Sequence, residues 1–416
     1  MAARGVPEQA YVWVWLPRRV EPVVAGVVGR VGSRLAFRYA ASYLERPDAV
    51  PLYLPELPLQ REQIVPDKAV AGCLRDAGPD GWGQQLIIAR MVEGLTRYDE
   101  PGEPGLLTFL LESGSDRIGA LDFQDSPYEY IPRGGSATLE EMQEAAARYE
   151  AGEPLSPGLQ VALLHGTSVG GARPKVLLEQ AHHPGWVAKL SLARDPFPVV
   201  KAEAVAMNLA RRVGLAVADS RLTSCLGRDV LLVERFDRSA TAGERKMMVS
   251  ALTVLGLDET AGRYATYHEL ADTIRARFTD TDATLRELFS RIVFNICVSN
   301  TDDHARNHAA FWDGPAGMLT LTPAYDICPQ LRSGDTAYQA MAISRDGRRE
   351  SRFALCREAA ACYHLELAEA DAIIGQQVET ITAQWPDAAD ECRLSTRERE
   401  QMWGRQILNP AAHYKD

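Results

Sequence analysis

Short apolar runs separated by turn residues fill the first part of the chain. Between Tyr11 and about Phe123 these runs are YVWVWL, PVVAGVVGRV, RLAFRYAASYL and PLYLPEL, and proline or glycine interrupts them. Runs of this length, rich in valine and aromatic residues and bounded by turn residues, are typical of strands. We therefore predict a twisted sheet with a few helices in this region.

Residues 124–158 differ in composition and predict a boundary between domains. A stretch rich in proline, glycine and serine comes first, and a charged helical pattern follows it. Ser136 or Thr138 is the predicted N-cap of that helix, since short hydroxyl side chains satisfy the first backbone N–H groups.

A glycine-rich turn followed by strands indicates an anion site. In the sequence HGTSVGGARPKVLLE, Gly170 and Gly171 let backbone amides approach an anion closely. Lys189 lies in the strand WVAKLSL, and an ammonium group near such a turn suits the phosphates of a nucleotide. The alternative is a plain hairpin with a surface lysine, because short motifs often occur by chance.

A helix and a charged linker follow this hairpin. The pattern VVKAEAVAMNLARRVGL predicts a helix with Gly214 as its C-cap. Glu203 is either a partner of Lys189, as a helix glutamate is in protein kinases, or a solvated glutamate favoured by the helix dipole. The strand that ends in ERFDR would lead into a linker between two lobes, whose backbone would face an adenine edge.

Several ionisable residues follow an apolar helix in the stretch SNTDDHARNH. The helix pattern RELFSRIVFNICVSN ends near Ser299, so a buried helix holds this polar loop. Asp302 and Asn307 have the spacing of the aspartate and asparagine in the kinase catalytic loop. Asp326 follows a short strand and adds a carboxylate for a magnesium ion that bridges nucleotide phosphates.

Two other interpretations compete for this loop. Asn300, Thr301 and Asp302 are all good helix caps, and Asp326 would then be a turn residue. Alternatively, His304 and His308 would form a transition-metal pair, although no third ligand is evident. The ordered series of glycine turn, strand lysine, charged linker, D-x-x-x-x-N and late aspartate favours a kinase.

Composition narrows the class of function. The 416 residues predict two or three domains, and the net charge of −11 argues against a broad nucleic-acid surface. The sequence has no apolar stretch long enough to span a membrane, and its N-terminus lacks the apolar core of a signal peptide. We therefore predict neither membrane insertion nor secretion. The seven scattered cysteines form no C-x-x-C pair, which predicts a reduced, cytoplasmic protein.

These motifs resemble those of the HipA-type serine/threonine kinases, the toxins of bacterial toxin–antitoxin pairs. The resemblance lies in SVGGARPK, VAKL, VERFDR, NTDDHARN and TPAYDI, and the N-terminal YVWVWL, SYLERPDAVPL and LRDAGPDGWG resemble the small domain that precedes the kinase core. It implies an α+β fold, with a small α/β N-terminal domain followed by a kinase-like bilobal core whose C-terminal lobe is mostly helical. The implied domains are 1–130 (N-terminal), 131–158 (connector), 159–240 (nucleotide-binding lobe) and 241–416 (helical catalytic lobe).

The resemblance also implies roles for single residues. Asp302 would be the catalytic aspartate, Asn307 and Asp326 the Mg²⁺ ligands, and Lys189 a phosphate contact. Ser168, or its neighbour Thr167, would be autophosphorylated, which would expel the loop and silence the kinase. The remaining implied ATP contacts are Gly170, Gly171, Ala172, Arg173, Pro174, Lys175, Glu234, Arg235, Phe236, His304 and Tyr325.

The implied activity is transfer of the ATP γ-phosphoryl group to a serine or threonine of a cellular protein, which inhibits growth. Family analogy suggests an aminoacyl-tRNA synthetase as the target and a HipB-like DNA-binding antitoxin as the partner. The stretch RKMMVSALTVLGL stands where better-known members carry an acidic motif, which indicates a divergent branch. The alternatives are a small-molecule phosphotransferase and a non-catalytic ATP-binding interaction module.

Overall fold

The computed structural model describes most of the chain in two compact units. The described residues are 7–79, 81–93, 104–134, 138–153, 156, 159, 173–178, 185–239, 241, 243–332 and 334–414. Unit 1 comprises 1–193, 224–249 and 312–317, and unit 2 comprises 194–223, 250–311 and 318–416. The boundaries of these two units differ from those of the four predicted domains. The four-domain division stays a prediction.

The N-terminal part of unit 1 is built on an antiparallel sheet. Its strands are β1 (Gln9–Val14), β2 (Val23–Val31), β3 (Arg34–Tyr39) and β4 (Leu121–Gln124), in the order β3-β2-β1-β4. In the described residues of this stretch it is accompanied by the helices α1 (Ala41–Leu44), α2 (Gly72–Asp76), α3 (Gly81–Glu93) and α4 (Leu106–Glu112). The prediction of a sheet with a few helices is confirmed.

Gly26 allows two of these strands to lie close together. It is the register partner of Tyr39, and a Cβ atom at this position would lie 2.2 Å from the carbonyl oxygen of Arg38. Such a contact is far inside van der Waals distance, so only glycine fits between β2 and β3 here.

A second sheet lies mostly in unit 1 and follows the glycine-rich stretch along the chain. Strands β5 (Lys175–Leu178), β6 (Trp186–Leu190) and β8 (Arg228–Glu234) pair antiparallel, and β7 (Ser220–Cys225) precedes β8 along the chain. Thr138, one of the two predicted N-caps, caps helix α5 (Leu139–Ala151) and forms a capping box, whereas Ser136 lies outside the described residues. Its Met142 and Ala146 pack into the core of this sheet, so the helix in the predicted connector contributes to a core.

Unit 2 is mostly helical. Its helices are α6 (Val199–Arg212), α7 (Ala251–Val254), α8 (Tyr267–Arg277), α9 (Thr281–Cys297), α10 (Phe353–Ala359), α11 (Leu367–Glu391) and α12 (Thr396–Met402). The described residues also form three short strands, which the division into units partly cuts: β9 (Met248–Ser250), β10 (Ala309–Asp313) and β11 (Met318–Leu321). A mixed fold with a mostly helical C-terminal part was predicted and is confirmed.

Buried surface explains why α9 is the central helix of unit 2. Eleven of its residues are buried, among them Phe289, Phe294 and Ile296, and it packs against α8, α10 and α11. Burial on this scale is a large source of stability and makes α9 a rigid base for whatever follows it. Within the described residues, we find no helix with the length and apolarity that crossing a bilayer requires.

Candidate functional site

The predicted site residues divide between the two units. Unit 1 carries Arg173, Pro174, Lys175, Lys189, Glu234, Arg235 and Phe236, and unit 2 carries Asp302, His304, Asn307, Tyr325 and Asp326. Residues 167, 168 and 170–172, which include Ser168, Thr167, Gly170, Gly171 and Ala172, lie outside the described part of the chain.

The polar loop in unit 2 begins with a sharp reversal at the end of α9. Ser299 has a left-handed backbone with φ of 51°, and the Asn300 amide N–H donates to the Asn295 carbonyl at 2.8 Å. The Asn300 side chain donates from Nδ2 to Asn295 Oδ1 at 3.0 Å. The last turn of α9 therefore fixes the start of the loop.

Asp303 anchors the loop to the side chains that surround its carboxylate. Its buried carboxylate oxygen Oδ2 accepts hydrogen bonds from Tyr267 Oη at 2.5 Å and from Asn295 Nδ2 at 2.8 Å, and it lies 2.7 Å from His308 Nε2. Burial opposes the charge of Asp303, but His308 and the hydrogen bonds outweigh it and hold its pKa below the usual value. Burial and the Asp303 charge together raise the pKa of Tyr267 well above its usual value.

Sequence reasoning missed Asp303 as a positioning residue. Tyr267 lies 36 positions away from Asp303 along the chain, so no local pattern pairs them. The only available signal was the adjacency of Asp302 and Asp303, since one carboxylate of such a pair on a buried scaffold points inward.

Asp302, unlike its buried neighbour Asp303, is exposed. Asn307 is brought beside it, because the Asn307 Nδ2 donates to the Asp302 carbonyl at 3.4 Å. Partial burial and the carboxylates of Asp326 and Asp303 raise the pKa of Asp302, while His304 opposes this shift. The charge of Asp326 is thus one of the causes that raise the pKa of Asp302.

Asp326 has a conformation that few residues adopt. Its φ is 58°, in the left-handed region, which aspartate tolerates better than bulky residues do. Such backbone strain is concentrated at functional sites. The preceding Tyr325 donates from Oη to the Arg306 carbonyl at 2.7 Å, so the Asp326 segment is tied to the loop of Asp302.

Helix α9 also holds this segment through a buried arginine. Arg291 donates from Nη2 to the Thr322 carbonyl at 2.9 Å and to the Ala216 carbonyl at 3.1 Å. Ala324 forms a parallel bridge with Val217. One helix therefore positions both halves of the candidate site.

The donor set suits a hard cation. Asp302, Asp326 and Asn307 offer carboxylate and amide oxygens, the ligands that Mg²⁺ prefers, and two neighbouring carboxylates favour a cation between them. Within the described residues there is no group of three or more His, Cys, Asp or Glu side chains that could hold a metal alone, so further oxygens would come from a phosphate ligand or water.

The contacts of the loop agree less well with the two competing interpretations, a helix cap at Asp302 and a histidine pair that binds a transition metal. The side chain that caps the short 3₁₀ turn Ala305–Asn307 is His304, whose Nδ1 accepts from the Arg306 amide at 3.3 Å, and not Asp302. His308 uses Nε2 for Asp303. A histidine pair for a transition metal is therefore not supported.

In unit 1, two lysines lie directly opposite each other on neighbouring strands of the second sheet. Lys175 and Lys189 are register partners on β5 and β6, and their relative exposures are 8% and 6%. The alternative of a surface lysine at position 189 is therefore wrong. Register partners project from the same face of a sheet, and two ammonium groups on one face suit the phosphates of a nucleotide.

Glu203 on α6 is 4% exposed, so the interpretation as a solvated glutamate is also wrong. It is one of ten buried residues of α6. A buried carboxylate is stable only when hydrogen bonds or ion pairs compensate for its lost hydration.

The ERFDR segment contributes to a charged group that we call the Arg235 cluster, in which Arg235 and Asp237 are buried and Asp116 and Arg238 are partly buried. Arg235 lies 2.8 Å from Asp116 and donates to Asp237 at 2.8 Å and 3.0 Å. It also donates to the Arg117 carbonyl at 2.7 Å, and its backbone N–H donates to the Gly185 carbonyl. The guanidinium that we expected near ATP is thus engaged within the chain, and its role as an ATP contact stays a prediction.

The Arg235 cluster predicts acid sensitivity of unit 1. Burial raises the pKa of Asp116, but Arg235, Arg238 and Arg245 outweigh it and lower that pKa from 3.8 to about 2. A lowered pKa stabilises the fold above pH 3.8, and this stabilisation is lost as the pH falls toward 2. We expect thermal unfolding temperatures to fall over this window, and Asp116→Asn to weaken the dependence; an unchanged profile in that variant would contradict the assignment.

The Asp303 anchor gives a second prediction. Asp303→Ala leaves buried Tyr267, Asn295 and His308 without their common acceptor, so the free energy of unfolding should fall by about 3 kcal/mol. Urea unfolding measures this loss. Asp302→Ala is the matched control in the same loop, and because Asp302 is exposed its effect should stay within about 0.5 kcal/mol. Equal losses in the two variants would disprove the anchoring role.

Comparison with known proteins completes the description of the site. The family model of the HipA-like C-terminal domain matches residues 167–385, and that of the HipA N-terminal domain matches residues 16–124. The chain belongs to the HipA family. The resemblance found from the sequence motifs is thereby confirmed.

Relatives with this family's fold cover the chain to different extents. Y4mE of Sinorhizobium fredii, a protein provisionally named a kinase, is 29% identical over 151 residues, and this match spans only 34% of each chain. The chain thus spans about a third of the length of that relative. HipA of Shewanella oneidensis, solved with HipB and operator DNA, shares the fold with a TM-score of 0.70 over 98% of this chain and 100% of its own, at 18% identity.

The kinase CtkA of Helicobacter pylori is also similar, with a TM-score of 0.41 and 13% identity over 57% of this HipA-family chain and 92% of its own.

Proposed function

We propose that this HipA-family chain is an ATP-dependent serine/threonine kinase that inhibits growth. The observation that carries the proposal is in unit 2, where Asp302, Asn307 and Asp326 are gathered by one rigid helix and by the bond from Tyr325 to Arg306. Aspartate, asparagine and a late aspartate in this order are the parts that a kinase needs for phosphoryl transfer. The name of Y4mE agrees with a kinase activity.

The chain's own residues would share the chemistry as follows. The exposed carboxylate of Asp302 accepts the proton of the attacking hydroxyl and orients it toward the phosphate. Asn307 and Asp326 would hold Mg²⁺, which when bound neutralises charge on the phosphates. The ammonium groups of Lys175 and Lys189 bind phosphate oxygens.

Regulation and partners are part of the same proposal. Autophosphorylation of Ser168 would add about −1.5 to −2 charges beside the phosphate-binding loop and disfavour ATP. The Shewanella HipA was solved with HipB and operator DNA, so we propose a HipB-like antitoxin as the partner. With a net charge of −11, this chain itself would reach DNA through that partner.

The testing experiment combines nucleotide binding with phosphosite mapping. Calorimetry should show magnesium-dependent ATP binding that weakens in Asp326→Ala and in Lys189→Ala, because a cation ligand or a phosphate contact is lost. Mass spectrometry after incubation with magnesium and ATP should then find phosphate on Ser168 or Thr167 and on an added protein acceptor. An aminoacyl-tRNA synthetase is the first acceptor to assay.

The outcomes separate the alternatives. Unchanged ATP affinity in both variants would remove the nucleotide site. Binding without any phosphate transfer would indicate an ATP-binding interaction module, and transfer to small molecules alone would indicate a small-molecule phosphotransferase.

A further inference from the structure

The N-terminal sheet carries a groove that the kinase chemistry does not use. It lies in unit 1, between the outer face of the sheet, α1 and the loop around residue 61, and has a volume of about 450 Å³. Pockets for small molecules span about 300–1,000 Å³, so the groove has the size of a small-ligand site.

The floor of the groove is apolar and partly aromatic. Tyr11, Val27 and Arg38 are successive register partners across β1, β2 and β3, so their side chains lie on the same face of the sheet. Leu44, at the end of α1, adds an aliphatic wall. A flat ring or short apolar chain fits against these side chains.

Two arginines give the groove its charge. Arg38 and Arg61 both line it and both are exposed. Within the described residues, neither side chain forms an ion pair or a hydrogen bond, whereas Arg34 on the same strand donates to the Pro66 carbonyl at 3.0 Å. Glu45 also lines the groove, so its net charge is about +1 and an anion is favoured over a cation.

From this arrangement we infer that the groove binds a small molecule that joins an apolar ring or chain to a carboxylate or phosphate. The guanidinium groups of Arg38 and Arg61 bind the anionic end, because a planar guanidinium matches carboxylate and phosphate geometry. The body of the ligand rests on Tyr11, Val27 and Leu44. The site is independent of the proposed kinase activity, so each can fail without the other.

Ligand-observed NMR on the full chain tests this site, with phenyl phosphate as the probe and benzylamine as its cationic counterpart. Phenyl phosphate should bind and benzylamine should not. Arg38→Gln and Arg61→Gln should each weaken phenyl phosphate binding about tenfold, the usual effect of losing one charge-assisted contact. Val27→Tyr, which fills the floor without changing charge, should abolish binding.

Two further variants locate the binding. Arg34→Gln removes the same charge from the same strand but outside the groove, and Lys189→Ala removes a phosphate contact of the proposed ATP site. Arg34→Gln should bind phenyl phosphate as the unmodified protein does, Lys189→Ala reports any share of the binding that belongs to the proposed ATP site, and thermal melts confirm that every variant is folded. The inference is overturned if phenyl phosphate fails to bind, if benzylamine binds equally well, or if Lys189→Ala loses binding while Arg38→Gln retains it.

Discussion

Replacing Asp302 with asparagine should lower the rate of phosphoryl transfer roughly 10²-fold or more. The change removes the proton acceptor while nearly preserving the shape of the side chain, and general-base catalysis contributes about 10²–10⁴-fold. Asp302 is exposed, and the loop beneath it is held by Asp303 and not by Asp302. The fold and ATP binding should therefore survive.

The measurement is the initial rate of phosphate transfer from radiolabelled ATP, together with calorimetric ATP affinity and growth inhibition on expression. Asp282→Asn is the matched control, because Asp282 is an exposed aspartate on α9 whose contact is with His364. That variant should keep full activity. Undiminished transfer and toxicity in Asp302→Asn would show that the catalytic assignment is wrong.

Replacing Asp237 with alanine should cost about 3–5 kcal/mol of the free energy of unfolding. The Asp237 carboxylate accepts from the Gly119 amide at 2.8 Å and from Arg235 and Arg238 at 2.8 Å each. Arg235 and Arg238 hold the pKa of buried Asp237 far below its usual value, although burial opposes them. Removing one partner of a buried ion pair leaves an uncompensated charge, which is why the loss is large.

Denaturant unfolding measures this loss, and two variants calibrate it. Glu144→Ala breaks the exposed pair with Arg148 on α5 and should cost at most about 0.5 kcal/mol. The double variant Arg235→Met/Asp237→Leu removes both buried charges and should recover part of the loss of Asp237→Ala. A loss in Asp237→Ala no larger than that of Glu144→Ala would refute the structural role of the Arg235 cluster.

Local patterns in the sequence determined the elements of this protein. Short apolar runs predicted the N-terminal sheet, a hydroxyl before a charged helix predicted the cap at Thr138, and an apolar helix predicted the rigid base of the polar loop. The spacing of Asp302 and Asn307 matched that of a kinase catalytic loop, and in the structure Asn307 Nδ2 donates to the Asp302 carbonyl. These inferences succeed because periodicity, capping and loop spacing involve residues within a few positions of one another.

The tertiary structure alone decided the partners of the buried charges. Asp303 is anchored by Tyr267, which lies 36 positions away, and Arg235 donates to the Arg117 carbonyl, which lies 118 positions away. Arg38 and Arg61 meet in one groove only because β3 and the loop around residue 61 fold together. The sequence does not distinguish a charged residue that faces water from one that faces a counter-charge far along the chain. Only the folded chain brings such partners within hydrogen-bonding distance.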